Sequence, residues 1–242
     1  YNDRTRTLFV GSEVVSGGRF SFSFPIPLDI NYSNDNGLIN LYATNGTYEA
    51  HGNCTDFRVG GTGNYVQNGN GPVITAWLNR EDFSDGDDVN ETPYLFMTLH
   101  DDDGINTTGN GLGHDIEIII DNDEQKTYSL NSYFKPTTGG YADGTVGFSI
   151  PELEEGSHSM LIRAFDVLNN MGSITVNFNV VRGLQPELAW LYVKGPVRDN
   201  ATIRVYTDRK GSVIDVNLWI YDMHGKLHYT QKQSGEENID DY

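Results

Sequence analysis

The chain has a single cysteine, Cys54, among 242 residues. No disulfide can form within it, so a disulfide-stapled fold is excluded. Basic residues are also few, because 16 Lys and Arg face 34 Asp and Glu, for a formal net charge of −18. Binding to nucleic acid needs basic side chains that neutralise phosphates, so this balance argues against a nucleic-acid partner.

Membrane and targeting signals are missing as well. The sequence contains no apolar run long enough to span a bilayer, no signal peptide and no initiator methionine. We therefore expect no transmembrane segment, and we expect the chain to be a segment of a longer protein.

The composition is instead rich in turn-forming residues. Gly, Asn, Asp, Ser and Thr are plentiful, whereas Lys, Ala and Leu are scarce. This balance predicts an all-β fold with many turns. The acidic residues are spread over those turns rather than gathered in a tail, which is typical of a solvated surface with some capacity for cations.

Short strand-like segments divide the chain into β-rich parts. Residues 1–62 hold only a few strand candidates and are predicted to be a partial β domain, the end of an upstream domain. Residues 63–72 are rich in Gly and Asn and are predicted to be a linker. Residues 73–181 hold seven short strand candidates separated by turns, the spacing of an immunoglobulin-like β-sandwich. Residues 182–242 are predicted to be a further small β domain that is truncated.

An aromatic alternation marks the first part of the chain. Phe20, Phe22 and Phe24 alternate with serines, which predicts a strand with three rings on one face. Pro25 and Pro27 follow directly. Because proline cannot donate to a strand ladder, we expect this strand to end there or to lie at a sheet edge.

The loop between the strand candidates Tyr94–Leu99 and Ile116–Ile120 is the strongest candidate for a site. It is crowded with Asp, Asn and Gly, residue types that bind ligands but also form ordinary turns. Asp101 begins a run similar to a calcium loop, but no glutamate stands at its twelfth position, which excludes an EF-hand. Asp101, Asp103 and Asp115, with backbone carbonyls, are the candidate ligands of a calcium ion, and calcium is the only cofactor that the sequence suggests. A purely structural loop is the alternative.

No catalytic residue is predicted. His51 lies three residues before Cys54, but the segment lacks the electropositive surroundings that activate a thiol, so an inert cysteine is expected. His114 and Asp115 are neighbours, and neighbouring strand residues point to opposite faces, so they cannot form a His–carboxylate pair. We expect His114 to pack at the start of a strand and Asp115 to bond turn amides.

Several stretches match a known family in the same order along the chain. They are Phe24–Ile30 (FPIPLDI), Gly37–Ala43 (GLINLYA), Gly104–Gly109 with Gly113–Asp115, Leu130–Phe134, and Leu153–His158 with Ala164–Asp166 and Asn169–Asn170. Together they resemble the region that follows the protease domain in the PorU family, the gingipain-related sortases of the type IX secretion system of Bacteroidetes. The resemblance runs over residues 10–230.

The C-terminal part is similar to the sorting domains of the same secretion system. Leu218–Lys226 (LWIYDMHGK) matches their Tyr-Asp-x-x-Gly-Lys turn. Gly195-Pro196 stands where Asn-Pro is usual, and the customary final basic strand is absent. The resemblance implies tandem immunoglobulin-like β-sandwich domains, the last of them a partial sorting-like β domain.

The resemblance also implies a function for the parent protein. Members of this family are cell-surface cysteine endopeptidases that remove C-terminal sorting domains from secreted cargo and link the cargo to surface lipopolysaccharide. The implied location is the extracellular face of the outer membrane, and the implied partners are outer-membrane secretion proteins and cargo sorting domains. The family's catalytic Cys–His pair lies upstream of the matched region, and Cys54 does not match it.

Two functions therefore stand at this point. The chain is expected to be a non-catalytic segment of such a sortase, acting as scaffold, cargo contact or surface anchor. The alternative is a carbohydrate-binding or adhesive module of a bacterial surface protein.

Overall fold

The computed structural model describes residues 7–28, 30, 35–61, 63–109, 113–193, 203–210 and 212–236. Within these ranges the regular structure is strand, with two 3₁₀ turns and no α-helix, which confirms the all-β prediction. No helix in the described part of the chain could serve as an apolar membrane span. The Gly195-Pro196 segment that resembles a sorting-domain feature lies outside the described residues.

The described residues form fifteen strands. In chain order they are β1 (Ile39–Thr44), β2 (Glu49–Cys54), β3 (Val73–Leu78), β4 (Asp88–Val89), β5 (Tyr94–His100), β6 (Glu117–Ile120), β7 (Thr127–Ser129), β8 (Phe134–Pro136), β9 (Asp143–Ser149), β10 (Gly156–Phe165), β11 (Met171–Val180), β12 (Leu188–Val193), β13 (Ile203–Thr207), β14 (Val213–Tyr221) and β15 (Leu227–Glu236). The 3₁₀ turns are Glu124–Lys126 and Asn131–Tyr133.

Strands β3 to β11 build a sandwich of two sheets. One sheet has the strand order β3-β5-β9-β8 and the other has the order β4-β11-β10-β6-β7. All pairs are antiparallel except the short β4, which runs parallel to β11. Buried side chains from both sheets fill one core, among them Leu78, Leu95, Met97, Leu99, Ile118, Ile120, Met160, Ile162 and Phe178. A core shared between two packed sheets is the sandwich that the strand spacing predicts.

The alternation along β10 shows how the sequence directs this packing. Met160, Ile162 and Ala164 are fully buried, whereas Leu161 and Arg163 between them are partly exposed. Successive strand residues point to opposite faces, so one face of β10 lies in the core and the other faces outward.

The strand predicted at Phe20, Phe22 and Phe24 is not formed. The three residues lie outside every strand, although their rings stack with centroids 6.1 and 6.0 Å apart. Pro25 and Pro27 have no amide hydrogen to donate to a strand ladder. The extended segment therefore cannot continue as a paired strand beyond Phe24, and it does not join a sheet.

This N-terminal segment, residues 7–28, runs along the sandwich as a strap. Its backbone bonds to two sandwich loops: the Gly139 amide donates to the Ser12 carbonyl at 2.8 Å, and the Leu28 amide donates to the Val167 carbonyl at 2.9 Å. The strap is therefore tied to the sandwich near both of its ends.

Four strands at the C-terminal side form two separate ladders. β12 pairs with β13, and β14 pairs with β15 through the turn that begins at Asp222. In this turn the Asp222 amide donates to the Lys226 carbonyl at 3.0 Å, and Gly225 has a φ of +81°, where glycine is favoured. The domain boundaries at residues 62, 72 and 181 stay predictions.

Candidate functional site

Three carboxylates gather at one end of the sandwich. Asp101 follows β5, Asp103 lies two residues further on, and Asp166 follows β10. One oxygen from each can be chosen so that all three atoms lie within 4.8 Å of one another. Asp101 and Asp166 are only 6% and 0% exposed. Such a group of oxygen ligands matches the preference of a hard cation such as calcium.

A backbone bridge between the two loops brings these residues together. Ile105 and Asp166 form an isolated antiparallel bridge, and the Val167 amide donates to the Gly104 carbonyl at 3.0 Å. Gly104 has a φ of +101°, and a Cβ there would lie 2.7 Å from Pro25 of the strap. Only glycine suits both the conformation and the space at this position.

Hydrogen bonds within each loop fix the carboxylates further. Asp101 Oδ1 accepts from the Asp103 amide at 2.9 Å. Asp166 Oδ1 accepts from the amides of Leu168 and Asn170, and its Oδ2 accepts from the Asn170 side chain at 2.7 Å. Asp166 is thus the anchor of the turn that leaves β10 as well as a member of the carboxylate group.

The electrostatics of the group favour a cation. Burial raises the pKa of Asp101 above its ordinary value, and the negative charges of Asp166 and Asp103 raise it further. Hydrogen bonds from the backbone of Asp103 and Gly104 oppose this shift without cancelling it. A bound divalent cation would remove the repulsion among the three groups.

Asp115, the third ligand expected from the sequence, is placed elsewhere. Its carboxylate accepts from the Asn131 side chain at 2.7 Å, and Asn131 in turn accepts from the Ile116 amide at 2.8 Å. Asp115 is therefore not a member of the group around Asp101, and Asp166 takes the third position. Adjacent to it, the His114 ring packs against Phe165 with centroids 4.8 Å apart, the packing role expected for this histidine.

Cys54 and His51 do not form a catalytic pair. Both lie on β2, where Cys54 stands opposite Ile39 and His51 stands opposite Tyr42. Residues three apart on a strand point to opposite faces, so the ring cannot reach the thiol. Cys54 is a free, exposed cysteine.

His158 and His100 each pair with a carboxylate of another part of the sandwich. His158 Nδ1 lies 2.8 Å from Asp121 Oδ2, and its Nε2 lies 2.7 Å from the Glu154 carbonyl oxygen. Burial acts to raise the pKa of Asp121, but the hydrogen bonds from His158 and the backbone hold it below the ordinary value. His100 pairs with Asp143 at 2.7 Å, and this hydrogen bond raises the pKa of His100. The His158 contacts join β10 to two loops, whereas the His100–Asp143 contact joins the paired strands β5 and β9.

Comparison with solved structures gives an informative match. No family model and no curated protein matches the chain. The crystal structure of dimeric latent PorU from Porphyromonas gingivalis is 37% identical with a TM-score of 0.53, over 90% of this chain and 21% of that chain. The chain thus spans about a fifth of that protein. An endo-β-1,4-mannanase from Thermotoga petrophila is 12% identical with a TM-score of 0.30, over 46% of this chain and 20% of that chain, which is too low to indicate a shared fold.

Proposed function

Because the chain is homologous to the C-terminal region of PorU, we propose that it is a non-catalytic β-sandwich segment of a type IX secretion sortase. The observation that carries this proposal is 37% identity sustained over 90% of the chain. Identity at this level over several loops and strands in order is more specific than a common fold.

The geometry supports a role without catalysis. Catalysis by a thiol requires a base within hydrogen-bond reach, and Cys54 and His51 occupy opposite faces of β2. In the described part of the chain, His114 packs on Phe165 and His158 bonds two loops, so both take part in holding the fold.

In the proposed role the segment is a scaffold for its parent protein. The parent would be a cysteine endopeptidase at the extracellular face of the outer membrane, removing sorting domains from cargo and linking the cargo to lipopolysaccharide. The segment would hold the peptidase, contact the cargo sorting domains or dock onto outer-membrane secretion proteins. In the described part of the chain three ladders have only two strands each, and apolar side chains such as Val66 and Met223 are exposed. Both features support contacts to other proteins.

A cysteine substitution in the full-length parent tests the non-catalytic role. Cys54→Ser is expected to leave the removal of cargo sorting domains unchanged, because His51 lies on the face of β2 opposite the thiol. Loss of activity with an unchanged melting temperature would contradict the proposal. Binding of the isolated chain to cargo sorting domains and to outer-membrane partners, measured by surface plasmon resonance, tests the contact role.

We further propose that Asp101, Asp103 and Asp166 bind calcium. The burial of two of the three carboxylates and the raised pKa of Asp101 support this assignment. Calcium at about 1 mM is expected to raise the melting temperature, since a ligand that binds only the folded state stabilises it.

Two substitutions distinguish this calcium site from the one predicted from the sequence, in which Asp115 was the third ligand. Asp103→Asn is expected to abolish the calcium response, whereas Asp115→Asn is expected to keep it. An unchanged melting temperature in calcium and in chelator would exclude the site. Asp102→Asn is the matched control, since the Asp102 side chain is 94% exposed.

One exposed face supports the alternative, a carbohydrate-binding module. On the hairpin of β1 and β2, Tyr42 is 58% exposed and stands opposite His51, while Asn40 stands opposite Asn53 on the same face. An aromatic ring flanked by amide groups can stack on a sugar and bond its hydroxyls. Glycan-array binding that is lost in Tyr42→Ala but kept in Tyr229→Ala would favour this function, and no binding by the wild-type chain would count against it.

A further inference from the structure

We propose that the turn at residues 207–210 is a latch that holds β12 and β13 in one orientation against the outer face of the four-stranded sheet. The proposal concerns the arrangement of the chain itself and does not depend on the activity of the parent protein. We call residues 207–210 the latch turn and residues 181–187, which join β11 to β12, the connector.

The latch turn buries three consecutive charged side chains. Asp208, Arg209 and Lys210 are only 6%, 5% and 4% exposed. Charged residues are almost never buried to this extent unless they are paired, because removing them from water is costly. Their surroundings therefore identify what the turn is built to contact.

Arg209 and Asp208 bind the connector. Arg209 Nη2 donates to the carbonyl oxygens of Leu184 and Gln185, both at 3.0 Å, and Nη1 bonds the Asp208 carboxylate. Asp208 Oδ1 accepts from the Glu187 amide at 2.8 Å, and the Asp208 amide donates to the Glu187 carbonyl at 3.2 Å. Four hydrogen bonds thus join the latch turn to the connector, three through the side chains of Arg209 and Asp208 and one through the Asp208 amide. The Arg209–Asp208 contact lies within the latch turn and ties the two side chains together.

Lys210 binds the sandwich. Its Nζ lies 5.0 Å from the centroid of the Phe96 ring, within the range of a cation–π contact. Leu95 and Met97 point into the core, so Phe96 between them faces outward from the sheet. The ring is itself stacked on Trp77 at 5.8 Å, which gives the ammonium a rigid aromatic surface.

Arg80 fastens the connector from the sandwich side. Its guanidinium contacts Glu187 of the connector at 3.2 Å and Asp82 and Asp87 of the sandwich at 3.2 and 3.1 Å. The connector is therefore held by a sandwich arginine on one side and a latch-turn arginine on the other. A connector bound in this way cannot act as a free hinge, so the β12–β13 ladder follows the sandwich as one body.

Amide exchange of the whole chain, measured by mass spectrometry, tests the latch. In the wild-type protein the amides of residues 183–185, 187 and 207–210 are expected to exchange more slowly than in an unstructured peptide by at least about 100-fold. Exchange at the rate of an unstructured peptide in the wild-type protein would overturn the proposal.

Two substitutions then separate the latch from general stability. Lys210→Met keeps roughly the length of the side chain but removes the cation. Arg209→Met removes the two hydrogen bonds from Arg209 to the carbonyl oxygens of Leu184 and Gln185. Each is expected to speed exchange of the connector by about tenfold while β10 and β11 stay protected. Lys232→Met, at a side chain that is 66% exposed, is the matched control and is expected to change nothing. Unchanged connector exchange in both latch variants would overturn the proposal. If a variant also loses protection in β10 and β11, it has lost general stability, and the exchange rate of the connector in the wild-type protein then decides whether the latch exists.

Discussion

The carboxylates of Asp101 and Asp166 lie within 4.8 Å of each other, although the two residues follow different strands that belong to opposite sheets of the sandwich. Each is almost completely buried. Burial and the nearby charge of Asp166 both disfavour ionisation of Asp101, so this end of the sandwich is sensitive to protons.

The titration of Asp101 follows from this relationship. Burial and the neighbouring charges raise the pKa of Asp101 in the folded protein above its ordinary value. The folded state then binds the proton more tightly than the unfolded state, so stability falls as pH rises from about 4 through the raised pKa. Asp101→Asn is expected to flatten this part of the pH dependence in urea unfolding. If the free energy of unfolding of Asp101→Asn falls with pH as steeply as that of the wild-type protein, the raised pKa of Asp101 is contradicted.

The Asp121–His158 contact predicts the opposite dependence. Burial acts to raise the pKa of Asp121, but the hydrogen bonds from His158 and the backbone hold this pKa below its ordinary value. The contact therefore stabilises the folded state at pH values above the ordinary pKa, and this stabilisation is lost as pH falls through the pKa of the folded state. Because this side chain is partly exposed, Asp121→Asn is expected to cost only about 1 kcal/mol at pH 7. The loss should shrink as the pH is lowered from 7, because the stabilising contribution disappears as the carboxyl takes up its proton in the folded state. Asp102→Asn serves as the exposed control, and a loss that does not change with pH would count against the contact.

Gly172 is expected to tolerate no side chain. A Cβ at this position of β11 would lie 1.9 Å from the Pro72 carbonyl oxygen, so the two backbones would have to separate. Gly172→Ala is expected to destabilise the protein by roughly 2 kcal/mol or more. Gly52→Ala on β2, where no atom lies within 4 Å of an added Cβ, should be close to neutral. Equal urea midpoints for the two variants would show that the Pro72 carbonyl does not lie this close to Gly172.

The sandwich core is expected to respond strongly to truncation. Ile162 is 0% exposed and stands between Ile118 and Ile174 in the five-stranded sheet. Ile162→Ala should lower the free energy of unfolding by about 2–5 kcal/mol, because it removes buried methyl groups and leaves a cavity. Val213→Ala at a 70% exposed position should change it by less than about 0.5 kcal/mol. A small effect at position 162 would mean that the core is looser than the structure indicates.

Strands with a clear period were predictable from the sequence. The strand candidates Tyr94–Leu99 and Ile116–Ile120 correspond to β5 and β6, with bounds that differ by one residue at one end of each. Both are long enough, and sufficiently rich in apolar and β-branched residues, for their local pattern to determine the structure. The segment at Phe20–Phe24 shows the limit of this reasoning, since its alternation is perfect but the following prolines prevent pairing.

The candidate site was only half predictable. Asp101 and Asp103 are close in sequence and were expected to act together, whereas Asp166 joins them through the bridge between Ile105 and Asp166, a pairing that local patterns do not contain. Asp115 looked equivalent because it closes the same loop, but Asn131 engages its carboxylate. An aspartate directly after a long apolar strand, followed by two asparagines, is the one signal that could have drawn attention to Asp166.

Peptide mapping of the native polypeptide that carries this chain tests the central proposal most directly. Recovered intact from the outer-membrane fraction and sequenced by mass spectrometry, it is expected to contain a gingipain-like Cys–His peptidase domain on the N-terminal side of residue 1. A surface polypeptide that contains these residues but lacks such a domain would contradict the proposal that the chain is part of a type IX sortase.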